Sequence, residues 1–201
     1  MSHEEYHRDY TGAKLGMWLF LFSELVLFGG LFIAYAAMRA RYIADFHSAS
    51  HELNAFLGVA NTVVLLTSSL TMALAITALQ KGNAKLSARF LTATVVLGCI
   101  FLMDKYFEWS HEIAKGLYPN SPTLLQHPPG ERLFFGLYYT MTGLHGLHVI
   151  IGVVLLSVML GLLVRGKITS GDFVKLENSG LYWHLVDVIW IFLLPLFYLA
   201  A

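Results

Sequence analysis

Long windows without charge set the rhythm of this sequence. Crossing a hydrocarbon core of roughly 30 Å takes about 20 helical residues, and five windows approach that length. The first runs from Leu15 to Met38 with Glu24 as its only charge, and the second, from Ala55 to Leu79, has none. The third begins after Arg89 but is free of charge only from Phe90 to Met103, so it must continue through Asp104, Lys105 and Glu108 to cross. The fourth lies within Leu133 to Val164, and the fifth, from Asn178 to Ala201, encloses Asp187. These windows predict spans of about 15–38, 55–79, 89–111, 135–164 and 179–200. Short alternating segments are missing, which excludes a membrane barrel. The expected fold class is all-α: a polytopic integral membrane protein with five transmembrane helices, one bundle domain over residues 1–201. The longest connection, from about Ile113 to Arg132, is marked by Pro, Gly and Asn and leaves no room for a soluble domain.

Composition agrees. Hydrophobic residues make up 57% and charged ones 13%, against roughly 45–50% and 25% in soluble domains. Thirteen Lys and Arg balance thirteen Asp and Glu, so charge offers nothing to a nucleic acid. The single cysteine, Cys99, sits in an apolar run and reads as packing. The start, "MSHEEYHRDYTGAK", is acidic, and the span after it is too long for a signal peptide, so it is expected to be retained. Orientation follows from the basic residues. With the amino terminus inside, cytoplasmic segments hold Arg8, Lys14, Lys81, Lys85, Arg89, Arg165, Lys167 and Lys175. The other side holds only Arg39, Arg41, Lys115 and Arg132, which places the amino terminus inside and the carboxyl terminus outside.

Polar residues at membrane depth cost about 2.5–3.5 kcal/mol each on insertion scales and so need partners. Glu24 is tenth of the 24 residues in its window, near the midplane. A lone carboxyl there is held neutral unless a histidine shares its proton, and it serves either to pin two helices or to relay protons. In the third span Asp104, Glu108 and His111 fall on one face, at the end assigned to the outer surface. They read as a solvated or interhelical polar cluster. His145 and His148, three apart, share a helical face, and Gly143, Gly146 and Gly152 let another backbone come close. His184 and Asp187 repeat that spacing, and Trp183 and Trp190 lie seven apart on an adjoining stripe. Two histidines from one helix and one from another suit a haem or metal. Neutral imidazoles bonded to one another, to Glu24 or to Asp187 suit them too, and that reading is preferred because no Cys, Met or carboxylate completes a coordination set.

In order and spacing, "FSELVLFGGLFIAY", "ANTVVLLTSSLTM", "YFEWSHEI", "TGLHGLHVIIG" and "YWHLVDVIWIFL" resemble subunit III of haem-copper respiratory oxidases. The resemblance covers nearly the whole chain from Gly16 onward and fits the shorter bacterial form, which lacks the first two of the seven mitochondrial helices. It implies an accessory subunit of cytochrome c or quinol oxidase without catalytic residues, haem, copper or other metal of its own; haems and copper belong to partner subunits. The implied partners are the catalytic subunit I, subunit II and, where the complex has one, subunit IV, together with structural phospholipid in the bacterial inner membrane. Supporting proton uptake and turnover stability is the implied role. On the family's motifs, Glu24 matches its buried glutamate, and Asn61, Glu108, His145, His148, His184 and Asp187 match its other polar positions. Two other readings stand beside this one: a similar accessory protein of a nitric oxide reductase, and an independent proton or ion transporter. The transporter is the weaker, because neither broken helices nor inverted repeats are apparent.

Overall fold

The computed structural model describes residues 10–199, so Arg8 and most of the acidic start lie outside the described residues. Six α-helices follow in order: α1 (Tyr10–Arg41), α2 (Ile43–Ser50), α3 (Ala55–Gln80), α4 (Ala84–Ala114), α5 (Pro129–Val164) and α6 (Val174–Tyr198). Five of them, all but α2, are long and apolar enough to cross a membrane, and the described residues form no strand. The helices overrun the charge-free windows, most at α4 and α1, because lysine, arginine and glutamate continue a helix into the interface as readily as leucine does inside it. Between α4 and α5 a single 3₁₀ turn, Leu124–Gln126, interrupts the long connection.

Helix ends follow from local chemistry. The Asn54 side chain accepts from the backbone N–H of Phe56 and Leu57 to start α3, and Asn83 accepts from Leu86 to start α4. Gly82 and Gly166 close α3 and α5 at φ of 79° and 69°, a left-handed turn that costs glycine little. The tight turn at Gly82 makes α3 and α4 an antiparallel hairpin.

Each core seam repeats every seven residues. On α4 the buried set is Ser87, Leu91, Thr94, Gly98, Phe101, Lys105, Glu108 and Glu112. On α6, Trp183, Trp190 and Phe197 fall seven apart, all fully buried. This is the period that lets helices pack at small crossing angles. The central pillar is α6, half of whose membrane window is buried, whereas only 11% of the corresponding α1 window is. On α1 the buried large side chains are Leu21, Phe28 and Tyr35, a single narrow seam toward α5 and α6. Its other faces present Leu19, Phe22, Val26 and Ile33 outward.

Glycine acts differently here from the expectation. A Cβ on Gly98 or on Gly152 would lie 2.7 Å from the Trp183 ring, so these glycines flatten α4 and α5 to seat an indole between them, where the sequence suggested a backbone. Gly143 faces the Trp109 ring, and Gly146 faces open space.

Candidate functional site

Three polar clusters lie between the helices. The first joins α1 to α5. His148 Nδ1 lies 2.7 Å from the Leu144 carbonyl, which only accepts, so Nδ1 carries a hydrogen. His148 Nε2 then faces Glu24 Oε2 at 3.0 Å, with one proton to share between them. Both side chains are mostly buried, at 11% and 14% exposure. The Phe28 ring meets the imidazole edge to face at 5.5 Å, and the Tyr182 hydroxyl donates to the His148 carbonyl at 3.0 Å. The partner that Glu24 requires therefore comes from another helix, and it is a histidine.

The second cluster ties α6 to α3. Ser69 Oγ is 2.7 Å from His184 Nδ1, Trp183 Nε1 donates to Ser68 Oγ at 3.0 Å, and Trp190 Nε1 donates to Thr62 Oγ1 at 3.0 Å. Small hydroxyl residues along α3 thus receive the polar edges of the large rings of α6. Asn61 and Asp187 are 1% and 2% exposed, and their side-chain N and O atoms have no hydrogen-bond partner among the described residues. His145 is fully buried, and both its nitrogens are likewise unpartnered there. It is held instead by rings, Phe101 at 5.5 Å and Trp190 at 5.2 Å between centroids. His145 and His148, though three apart, serve different neighbours.

The third cluster locks α4, α5 and α6 together. Lys105 Nζ lies 3.0 Å from Glu108 Oε2 and donates to the Tyr198 hydroxyl at 2.6 Å and, more weakly, toward Tyr138 at 3.4 Å. Tyr138 donates to Glu108 Oε1 at 2.5 Å, and Tyr198 donates to the same oxygen. The Lys105 ammonium also sits 5.0 Å from the centre of the Trp190 ring. Every acceptor and donor in this set is used, as a buried charge requires. Glu108 is indeed interhelical, but Asp104 and His111 are not its partners. Asp104 is half-buried and His111 exposed, while Lys105, Tyr138 and Tyr198 do the work. Lys105 stands three residues before Glu108 in the local run of charges, but Tyr138 and Tyr198 carry no signal there. The signal is the seven-residue seam of α4, which continues from Phe101 to 105, 108 and 112.

Two spaces adjoin these clusters. An apolar groove of about 350 Å³ opens between α4 and α5, with Trp109, Gly143 and Gly146 on its walls and Lys105 at its edge. At the end of the bundle where α3 begins, a polar cavity of about 380 Å³ is lined by Glu52, Glu108, His111 and Glu112, among others. No group of three or more His, Cys, Asp or Glu among the described residues is placed to hold a metal ion.

The chain that carries these clusters has known relatives. The family pattern for cytochrome c oxidase subunit III matches residues 3–201. Cytochrome c oxidase subunit 3 of Thermostichus vulcanus is 31% identical, aligning with 100% of this chain and 92% of its own length. That of Alkalihalophilus pseudofirmus is 34% identical over 93% of this chain and 86% of its own. A haem-copper oxidase subunit I+III of Aeropyrum pernix is 30% identical over 93% of this chain, which spans only 22% of that longer protein. The chain thus belongs to the cytochrome c oxidase subunit III family, as a multi-pass accessory subunit of a haem-copper oxidase.

Proposed function

We propose that this chain packs on the catalytic subunit I of its oxidase, alongside subunit II and, where present, IV, in a bacterial inner membrane. It orders phospholipid at that interface and thereby sustains proton uptake during turnover. Haems and copper reside in the partner subunits. The Aeropyrum relative, whose name joins subunits I and III in one chain, supports the pairing. The apolar outward faces of α1 and the groove between α4 and α5 supply surfaces for acyl chains. The amino terminus lies inside, on the eight-to-four basic asymmetry of the loops.

The observation that carries the proposal is the Glu24–His148 pair. It bridges α1, the least buried span, to α5, so it holds a proton beside the surface where α1 meets lipid or partner. Glu24→Gln keeps the size and a hydrogen bond to His148 while removing exchange of that proton. The assembled oxidase should keep its haems and its initial rate, then lose activity faster with successive turnovers, most visibly at alkaline pH where protons are scarce. The measurement is residual activity against turnover number for wild type, Glu24→Gln and Glu24→Ala in matched lipid. Glu24→Ala should also loosen subunit association, since it strips His148 of its partner. Superimposable curves for wild type and Glu24→Gln would reduce Glu24 to a structural hydrogen-bonding residue, and loss of the first turnovers would give it a direct catalytic role instead.

A further inference from the structure

Helix α2 carries two imidazoles that neither the core nor the buried clusters use. His47 and His51 lie four apart and both are exposed, while Phe46, Ala49 and Ser50 turn inward. Their Nε2 atoms face each other at 3.4 Å, with the rings edge to face and centroids 4.7 Å apart. Two accounts of this geometry compete. A direct hydrogen bond from N–H prefers about 2.9–3.0 Å. Two imidazole nitrogens bound at about 2.0–2.1 Å to one tetrahedral ion stand about 3.3–3.4 Å apart. The 3.4 Å separation admits both, a long N–H···N bond in the free protein and two ligands on one ion.

The pair is also held ready. Asp45 Oδ2 accepts from the Gly130 backbone N–H at 3.0 Å, and Phe46 meets Phe134 edge to face at 5.5 Å, so α2 is docked on α5. The Ser50 hydroxyl donates to the His47 carbonyl at 2.8 Å, and His51 keeps helical angles of φ −68° and ψ −19°. His51 also lines the polar cavity of about 380 Å³ at the start of α3, so the pair is open to solvent on that side.

We propose that His47 and His51 form a two-imidazole chelate for an exchangeable divalent transition-metal ion of the zinc class, its remaining positions open to water. Two protein ligands make a labile site that a chelator empties, distinct from a resident cofactor. Neutral imidazole favours zinc, copper and nickel over calcium or magnesium.

The test uses the whole oxidase complex, first stripped with chelator and then titrated with Zn²⁺ alone. Wild type, His47→Gln and His51→Gln are compared calorimetrically, with haem absorbance recorded to show equal assembly. Zinc sites elsewhere in the complex appear in all three, so the difference is the readout. Wild type should bind one more Zn²⁺ per complex than either variant, or bind it about tenfold or more tightly, because each substitution removes one arm of the chelate. Identical isotherms in all three would overturn the proposal. So would loss in one variant alone, since a chelate needs both arms.

Discussion

Lys105 offers the sharpest test of what holds the bundle together. Lys105 is 8% exposed, and its ammonium is the only cation touching the Glu108 carboxylate, at 3.0 Å, among the described residues. Lys105→Met preserves length and apolar volume but leaves Glu108 with two tyrosine hydroxyls and no counter-charge. Removing one member of a buried ion pair costs about 3–5 kcal/mol. The Tyr198 hydroxyl bonds both the Lys105 ammonium and the Glu108 carboxylate. Tyr198→Phe should therefore cost about 2 kcal/mol, as for a hydrogen bond to a charged group, and Lys105→Met and Glu108→Gln each about 3 kcal/mol or more. The double variant Lys105→Met/Glu108→Gln removes both charges and leaves Tyr138 and Tyr198 an amide oxygen to bond. Its cost should fall short of the sum of the singles by about 2 kcal/mol or more, roughly a thirtyfold coupling. The assay is reversible unfolding of the purified chain in mixed micelles, read by the fluorescence of the buried Trp183 and Trp190. Single effects below about 1 kcal/mol that simply add would show the pair to be solvated and refute its role as a lock.

Three further outcomes follow from packing, chemistry and topology. Gly152→Ala places a methyl 2.7 Å from the Trp183 ring, which Gly98 backs on its far side, so it should cost about 1–3 kcal/mol by the same unfolding assay. Gly146→Ala, with nothing within 4 Å of the new Cβ, should be near neutral, and equal costs would refute the indole seat. The isolated chain, after chelator treatment, should show no haem absorbance and no retained iron, copper or zinc. About one metal per chain, lost in both His145→Ala and His184→Ala, would return those histidines to coordination. Reporter fusions should place the amino end inside and the end after Ala201 outside, and the reverse result would invert the depth assigned to Glu24.

The five spans were legible because charge-free length is a global property that tertiary contacts do not rewrite. Helix α2 was not, since eight residues with one apolar face resemble any amphipathic turn between spans. Glu24 announced itself as a lone charge, yet its partner lies 124 residues away, and sequence separation of that order carries no local mark. The third-span cluster shows how a local reading goes astray. Asp104, Glu108 and His111 do share a face, but so do Phe101, Lys105, Glu108 and Glu112, and both sets contain Glu108. What decides between them is the phase of the seam upstream, set by Leu91 and by the small residues Ser87, Thr94 and Gly98, which look unremarkable next to the charges. Residues at the core of a membrane bundle are often small and hydroxyl-bearing, so hydrophobicity does not mark the buried face there.

The buried acids have distinct fates, and those fates bear on where function can be exerted. Glu108 is neutralised by a lysine and saturated by two tyrosines on the two most deeply packed neighbours, which makes it a fixed strut. Asp187, 2% exposed on the central helix, is enclosed by the packed core. Glu24 alone combines a titratable partner with a place on the loosely held span. Within the membrane its helix is joined to the rest by a single seam of Leu21, Phe28 and Tyr35, by a bond from the Tyr35 hydroxyl to the Leu196 carbonyl, and by His148 itself, while at its amino end Lys14 pairs with Glu177 at 3.0 Å and the Asn178 amide donates to the Ala13 carbonyl at 3.3 Å. A change in what covers the outward face of α1 therefore reaches a shared proton through few intervening contacts, whereas the same change at α3 or α4 would have to move a packed core. Leverage on protonation belongs to α1, and rigidity to the helices behind it.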